Sequence, residues 1–122
     1  MQQHVFIPHR LAGLNELLGA TNQHRQKGAK LKKQETELVA LYARRLKPYD
    51  KPIVLSVVYH EPNAKRDPDN IAAAKKFILD GLVDAGVLPN DTQKWVRGFS
   101  DRWVVDKDHV GVSITIKEDE GE

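Results

Sequence analysis

The clearest hydrophobic pattern lies near the C-terminal end of the chain. Val110, Val112, Ile114 and Ile116 alternate with Gly111, Ser113 and Thr115. A period of two predicts a strand with one buried face. The segment from Pro52 to His60 reads differently, as an almost continuous apolar, β-branched run bounded by Pro52 and Pro62. It predicts a central strand covered on both faces. His4–Ile7, stopped by Pro8, predicts a short first strand. Residues 94–106, around Gly98, predict a further strand or hairpin arm.

The helical segments carry a different period. Leu11, Leu14, Leu17 and Leu18 predict a helix over Arg10–Gly19. Leu38, Leu41, Tyr42 and Leu46 share a face over residues 34–46, and Lys47-Pro48 ends that run. A third helix opens at Asp69 or Asn70 and continues to about Ala85, closed by Gly86. The order β-α-α-β-α-β-β predicts a small α+β fold: one domain, with helices packed on a mixed β-sheet. A chain of 122 residues fits one such domain over 1–117, followed by an acidic flexible tail at 118–122.

Composition narrows the chemistry. Cysteine is absent, which excludes disulfides, thiolate metal sites and cysteine nucleophiles. No apolar run approaches the ~20 residues of a membrane span, and Met1–Pro8 has no basic region before a long apolar core, so neither a signal peptide nor a membrane partner is expected. A cytoplasmic location follows as the expectation. The formal net charge is only +2, but Glu118, Asp119, Glu120 and Glu122 account for four of the 17 acidic residues. Residues 1–117 set 19 basic side chains against 13 acidic ones, a net of +6. Arg25, Lys27, Lys30, Lys32 and Lys33 fall in one stretch without an acid. That stretch predicts a mobile basic loop, compatible with a solvated surface or with contact to phosphates.

The most informative segment is Lys65-Arg66-Asp67-Pro68-Asp69-Asn70, at the exit of the predicted central strand. Two carboxylates in an extended turn can share one hard cation, and Mg²⁺ accepts such a pair while keeping waters for a phosphate. Asp69 or Asn70 can equally serve as a helix cap, and Asp67-Pro68 as a turn. An EF-hand is excluded, because Ile71 stands where a third ligand would be needed and no glycine follows it. Asp91 follows the third helix and joins the pair only if the chain returns along the sheet. On a helical wheel, Lys76 shares the polar face with Asp69 and Asp80, while Lys75 borders the apolar stripe. Lys76 can then act on a phosphate or simply pair with Asp80. The five histidines show no ligand spacing. Trp95 and Trp103 are expected in the core, with stacking on unpaired bases as the other possibility.

Arg66-Asp67-Pro68-Asp69-Asn70-Ile71, then Lys76, then Leu79-Asp80-Gly81-Leu82-Val83-Asp84-Ala85-Gly86-Val87-Leu88 and Asn90-Asp91 closely resemble the motifs of RusA-type Holliday-junction resolvases. These are endodeoxyribonucleases common in bacteriophages and prophages. The resemblance spans about residues 50–117 and is densest over 66–91. It implies a dimeric α+β enzyme that binds Mg²⁺, with Mn²⁺ able to substitute, and resolves four-way or otherwise branched DNA by paired nicks. It implies Asp67, Asp69 and Asp91 as metal ligands, and these with Lys76 as catalytic residues. The family lysine falls on Ala73 counted forward from Asp69-Asn70, and on Lys76 counted back from Asp80, so Lys75 and Lys76 both remain open. Asn90 stands where some members carry another acid. Arg25, Lys27, Lys30, Lys32, Lys33, Lys65, Arg66 and Asn70 are the expected DNA contacts, and a bacterial or phage-infected cell the expected setting. The alternative is a non-catalytic junction- or DNA-binding protein of the same fold.

Overall fold

Alternating burial along neighbouring strands determines which side of the sheet becomes the core. The computed structural model describes residues 1–121. In chain order it contains β1 (Gln2–Ile7), α1 (Leu14–Gln23), α2 (Arg25–Ala43), β2 (Ile53–Glu61), α3 (Pro68–Ala72), α4 (Lys75–Asp84), β3 (Val96–Val105) and β4 (Gly111–Glu118). The four strands form one mixed sheet in the order β1-β4-β2-β3. β4 runs antiparallel to both β1 and β2, while β3 runs parallel to β2.

Val5 and Ile7, Ile53, Leu55, Val57 and Tyr59, and Val112, Ile114 and Ile116 all turn to one side and are buried there. Val39 and Ala43 of α2 and Phe77, Ile78 and Leu82 of α4 complete that core. Burying each large apolar side chain contributes roughly 1.5–3 kcal/mol, far more than an exposed pair such as Lys33–Glu37 at 3.9 Å. The α2–α4 contact is close because Gly81 lacks a side chain: a Cβ there would lie 2.5 Å from Val39 Cβ. Gly86, at φ +78°, ends the α4 region in the left-handed conformation that suits glycine.

The α+β architecture agrees with the sequence pattern, and several details differ. β2 is not covered on both faces. It alternates buried and half-buried residues, because the helices lie on one side and Val54, Ser56, Val58 and His60 are shielded mainly by neighbouring strands. β3 is not a hairpin arm to β4, because β2 lies between them. The basic stretch 25–33 is not a mobile loop but the first half of α2. Its straight-chain cations favour helix, Gly28 packs directly on Thr21, and His24 Nδ1 accepts from Gln26 N at 3.0 Å to cap the start. The first helix begins at Leu14 rather than Arg10 and passes Gly19 to reach Gln23.

A further difference is the predicted single helix to Ala85, which divides into α3 and α4. Ala74 N bonds Ile71 O and Phe77 N bonds Ala74 O, tightening the junction into three-residue turns. No proline or glycine marks this break. At the C-terminal end, Glu118 belongs to β4 and Asp119 N donates to Pro52 O at 2.8 Å, so these two residues are attached to the sheet. Glu122 lies outside the described residues. Among the described residues, no helix is long and apolar enough to cross a membrane.

Candidate functional site

The acidic segment begins where β2 ends. Glu61, the last residue of β2, is 5% exposed and is clamped by Arg10 Nη2 at 2.7 Å. Asp67 then takes the N-cap position of α3 with extended backbone but makes no capping hydrogen bond. Pro68 starts the helix with its φ preset, and Ile71 N bonds Asp67 O at 3.1 Å. Asp67 and Asp69 are both exposed. Neither carboxylate is therefore needed to satisfy the helix start.

The two flanking residues have internal partners. Asn70 is buried, and its Oδ1 accepts from Asn15 N at 2.8 Å, tying α1 to α3. The Arg66 guanidinium donates to Leu11 O at 3.1 Å and pairs with Glu16. Burial would raise the Glu16 carboxyl, but its backbone hydrogen bond and Arg66 together hold it below the usual glutamate range. As placed, Arg66 and Asn70 hold α1 against the acidic segment, whereas Lys65 is exposed.

Asp91 lies in the turn beyond α4, and the chain doubles back far enough for it to meet the first turn of α4. Lys76 Nζ is 3.1 Å from Asp80 Oδ1 and 3.8 Å from Asp91 Oδ2. The hydrogen bond to Asp80 and its charge raise the Lys76 ammonium above the usual lysine range, desolvation opposes this weakly, and Asp91 adds to it. Thr36, Asp80, Asp84, Asn90 and Asp91 line a shallow hollow of about 260 Å³. Asp67 lines a different one, of about 250 Å³, with Pro68, Ile71, Trp103 and Val105.

Lys76, Asp80 and Asp91 are thus brought together, and Asp67 and Asp69 sit beside each other at the start of α3. The two groups are not merged. Among the described residues, no three His, Cys, Asp or Glu side chains lie close enough to hold one cation. One protomer as it stands does not fit a three-carboxylate Mg²⁺ site. Among the described residues, no histidine pairs with Asp67, Asp69 or Asp91; His60 and His109 approach Asp106 instead, at 3.6 and 3.4 Å. His60 meets Ser113 at 2.9 Å and His4 meets Thr115 at 3.0 Å, both on the open face of the sheet.

Arg25, Lys27, Lys30, Lys32 and Lys33 are exposed along the first half of α2. A helix fixes their spacing, which a loop would not. Two further residues were not singled out as partners by the sequence. Asp101 of β3 receives Lys75, with Nζ 2.7 Å from Oδ1 and 2.8 Å from Oδ2, while the same ammonium sits 4.1 Å from the Phe99 ring centre. Its signal was the alternation Phe99, Asp101, Trp103, which puts the acid on the same face as two aromatics. Trp103, expected in the core, is 46% exposed. It belongs to the edge strand, beyond the reach of the α2–α4 layer.

No protein-family model matches the chain, and no curated protein matches it in sequence.

Proposed function

We propose that the chain is a magnesium-dependent, structure-specific endodeoxyribonuclease of the RusA type that nicks four-way or otherwise branched DNA as a homodimer. The observation that supports this most is the meeting of Lys76 and Asp91 at 3.8 Å. They are two residues of the motif, one at the start of α4 and one in the turn beyond it, and Asp91 lines the hollow beside which Lys76 lies.

In this reading Asp67, Asp69 and Asp91 would hold Mg²⁺, or Mn²⁺ in its place, with a second copy of the chain completing the set that one protomer leaves divided. A bound ion would supply charge compensation at a phosphate. The chain's own residues act around it. Lys76, like any lysine, is protonated at neutral pH, and Asp80 and Asp91 raise its pKa further, so it offers a fixed positive charge to a phosphoryl oxygen. The cations of α2 follow the DNA backbone and set position rather than sequence. The setting is the cytoplasm of a bacterium or of its phage-infected form.

The test is incubation of the purified protein with a synthetic four-way junction, with and without Mg²⁺, and mapping of the nicks. Paired symmetric nicks that need Mg²⁺ or Mn²⁺ are expected; an intact junction under both ions overturns the reading. The division of the carboxylates into two hollows favours one other reading, a junction-binding protein without catalysis. That reading predicts a shifted but uncut junction in the same experiment.

A further inference from the structure

Trp103 pairs with Tyr59 across the β2–β3 ladder, so both rings leave the sheet on its helix-bearing side. Tyr59 is 2% exposed and Trp103 is 46% exposed. The difference arises because β3 is the edge strand, with β2 as its single neighbour in the sheet. The result is a flat aromatic surface on a hydrogen-bonded strand, forming one wall of the groove that Asp67, Pro68 and Ile71 close on the other side.

The charges around this groove determine what it accepts. Glu61 is neutralised by Arg10, and Arg66 is engaged by Leu11 O and Glu16. Asp67 keeps its carboxylate free of a capping bond at the groove wall. With no cation bound, as in EDTA, an anion entering the groove would meet the Asp67 carboxylate, while the lining cation Arg66 is already taken, so phosphate is disfavoured inside. A neutral planar ring is favoured, because it buries both apolar walls and leaves its charged phosphate outside.

We propose that this groove holds one unpaired nucleobase of branched DNA, stacked on Trp103. The inference rests on the nuclease reading for its choice of polymer, and it adds a residue that selects the substrate. In duplex DNA both faces of each base are covered by neighbours. Only at a branch or an unpaired stretch is a face available for an aromatic side chain. Trp103 therefore discriminates branched from continuous DNA, next to the acidic residues proposed to act on the strand.

The test uses the full chain in EDTA, so that binding is read without cleavage. Trp95→Phe leaves Trp103 as the sole tryptophan reporter. A four-way junction is expected to quench its fluorescence, and a duplex of the same sequence is not. Trp103→Ala, in otherwise unchanged protein, is expected to weaken junction affinity about tenfold or more while leaving duplex affinity nearly unchanged, and Trp103→Phe to retain most of it. Unchanged junction affinity in Trp103→Ala overturns the inference, as does equal quenching by junction and duplex. A fluorescence change that follows protein concentration without DNA assigns the groove to a second copy and also overturns it. If quenching and the weakened affinity occur but Mg²⁺ produces no nicks, the nuclease reading fails while this inference stands. If the junction is cut and Trp103 is silent, the inference fails alone.

Discussion

Lys75 and Lys76 are neighbours in the chain, yet their ammonium groups have different destinations. Lys75 is 8% exposed and lies against Asp101 and Phe99 of β3, while Lys76 is exposed and lies between Asp80 and Asp91. A rotation of 100° per residue on α4 is enough to separate them. One lysine fastens the start of α4 to the edge strand. The other remains free to exchange its acidic partners for a phosphate.

This separation predicts opposite outcomes for two variants. Lys75→Ala leaves Asp101 largely enclosed without its cation, and should cost about 2 kcal/mol of stability, measured by urea unfolding. Asp101→Asn in the same background should recover part of that stability, because the stranded charge is removed. Lys76→Ala should change stability by less than ~0.5 kcal/mol, since its pairs are exposed. In single-turnover junction cleavage it should lower the rate by ~10²-fold or more, with little change in affinity.

How far these roles were legible in the sequence depends on the kind of contact. The period-two run Val110–Ile116 specified a strand and its buried face, because burial on a pleated sheet follows alternation, whereas the apolar run Ile53–Tyr59 specified a strand but not which of its faces is open. The wheel separated Lys75 from Lys76 although the helix it assumed is broken at Ala73 and Ala74. It did so because both lysines lie in α4, beyond the break. The break itself was not legible: it has no proline or glycine, and Lys75 is held from outside the helix by Asp101, in a strand. The exposure of Trp103 was not legible either. It depends on β3 taking the sheet edge beside β2, which is a fact of strand order that no local pattern carries. The basic stretch is ambiguous for a local reason, because Lys and Arg side chains suit a solvated helix as well as a loop.

The helical placement of Arg25–Lys33 gives a quantitative expectation for DNA binding. Replacing Lys30, Lys32 and Lys33 with glutamine should reduce the slope of log affinity against log salt by about 0.9 for each phosphate no longer neutralised. Junction and duplex should be affected alike, since phosphate contacts carry no sequence or branch information. Circular dichroism should be unchanged, because all three side chains are solvent-facing on α2. A full slope in this variant would move the DNA surface away from α2.

Acid should loosen α1 before the core. Glu16 has a lowered folded pKa, so it binds a proton more readily in the unfolded chain. Its contribution is complete above the ordinary glutamate pKa and is lost as pH falls through the lowered folded value. Protonation removes the charge that holds Arg66. Corrected for the intrinsic exchange rate at each pH, amide protection over residues 14–23 should therefore fall in the wild type once the pH drops below the ordinary glutamate range, and Glu16→Gln should show reduced protection there already at neutral pH. The amides of β2 and β4 should stay protected in both proteins, as their core contacts contain no titrating group of this pair.

The sharpest expectation concerns the divided carboxylates. Asp67 and Asp69 stand at the start of α3 and Asp91 stands with Lys76 and Asp80, and among the described residues no three acids meet within one protomer. If a second copy completes the set, each cutting site draws Asp69 from one chain and Asp91 from the other. Asp69→Asn and Asp91→Asn should each abolish cleavage as pure proteins, since every site then lacks one ligand. Mixed and allowed to exchange subunits, they form heterodimers with one site missing both ligands and one site intact. Mg²⁺-dependent nicking should therefore reappear in the mixture, as single rather than paired cuts, because only one site per dimer works. If all ligands came from the same chain, every site in every heterodimer would still lack one carboxylate, and the mixture would be as inactive as its parts. Nick mapping on a junction labelled on all four strands separates these cases. Recovery of single cuts would also account for why the separate hollows of one chain do not amount to a metal site.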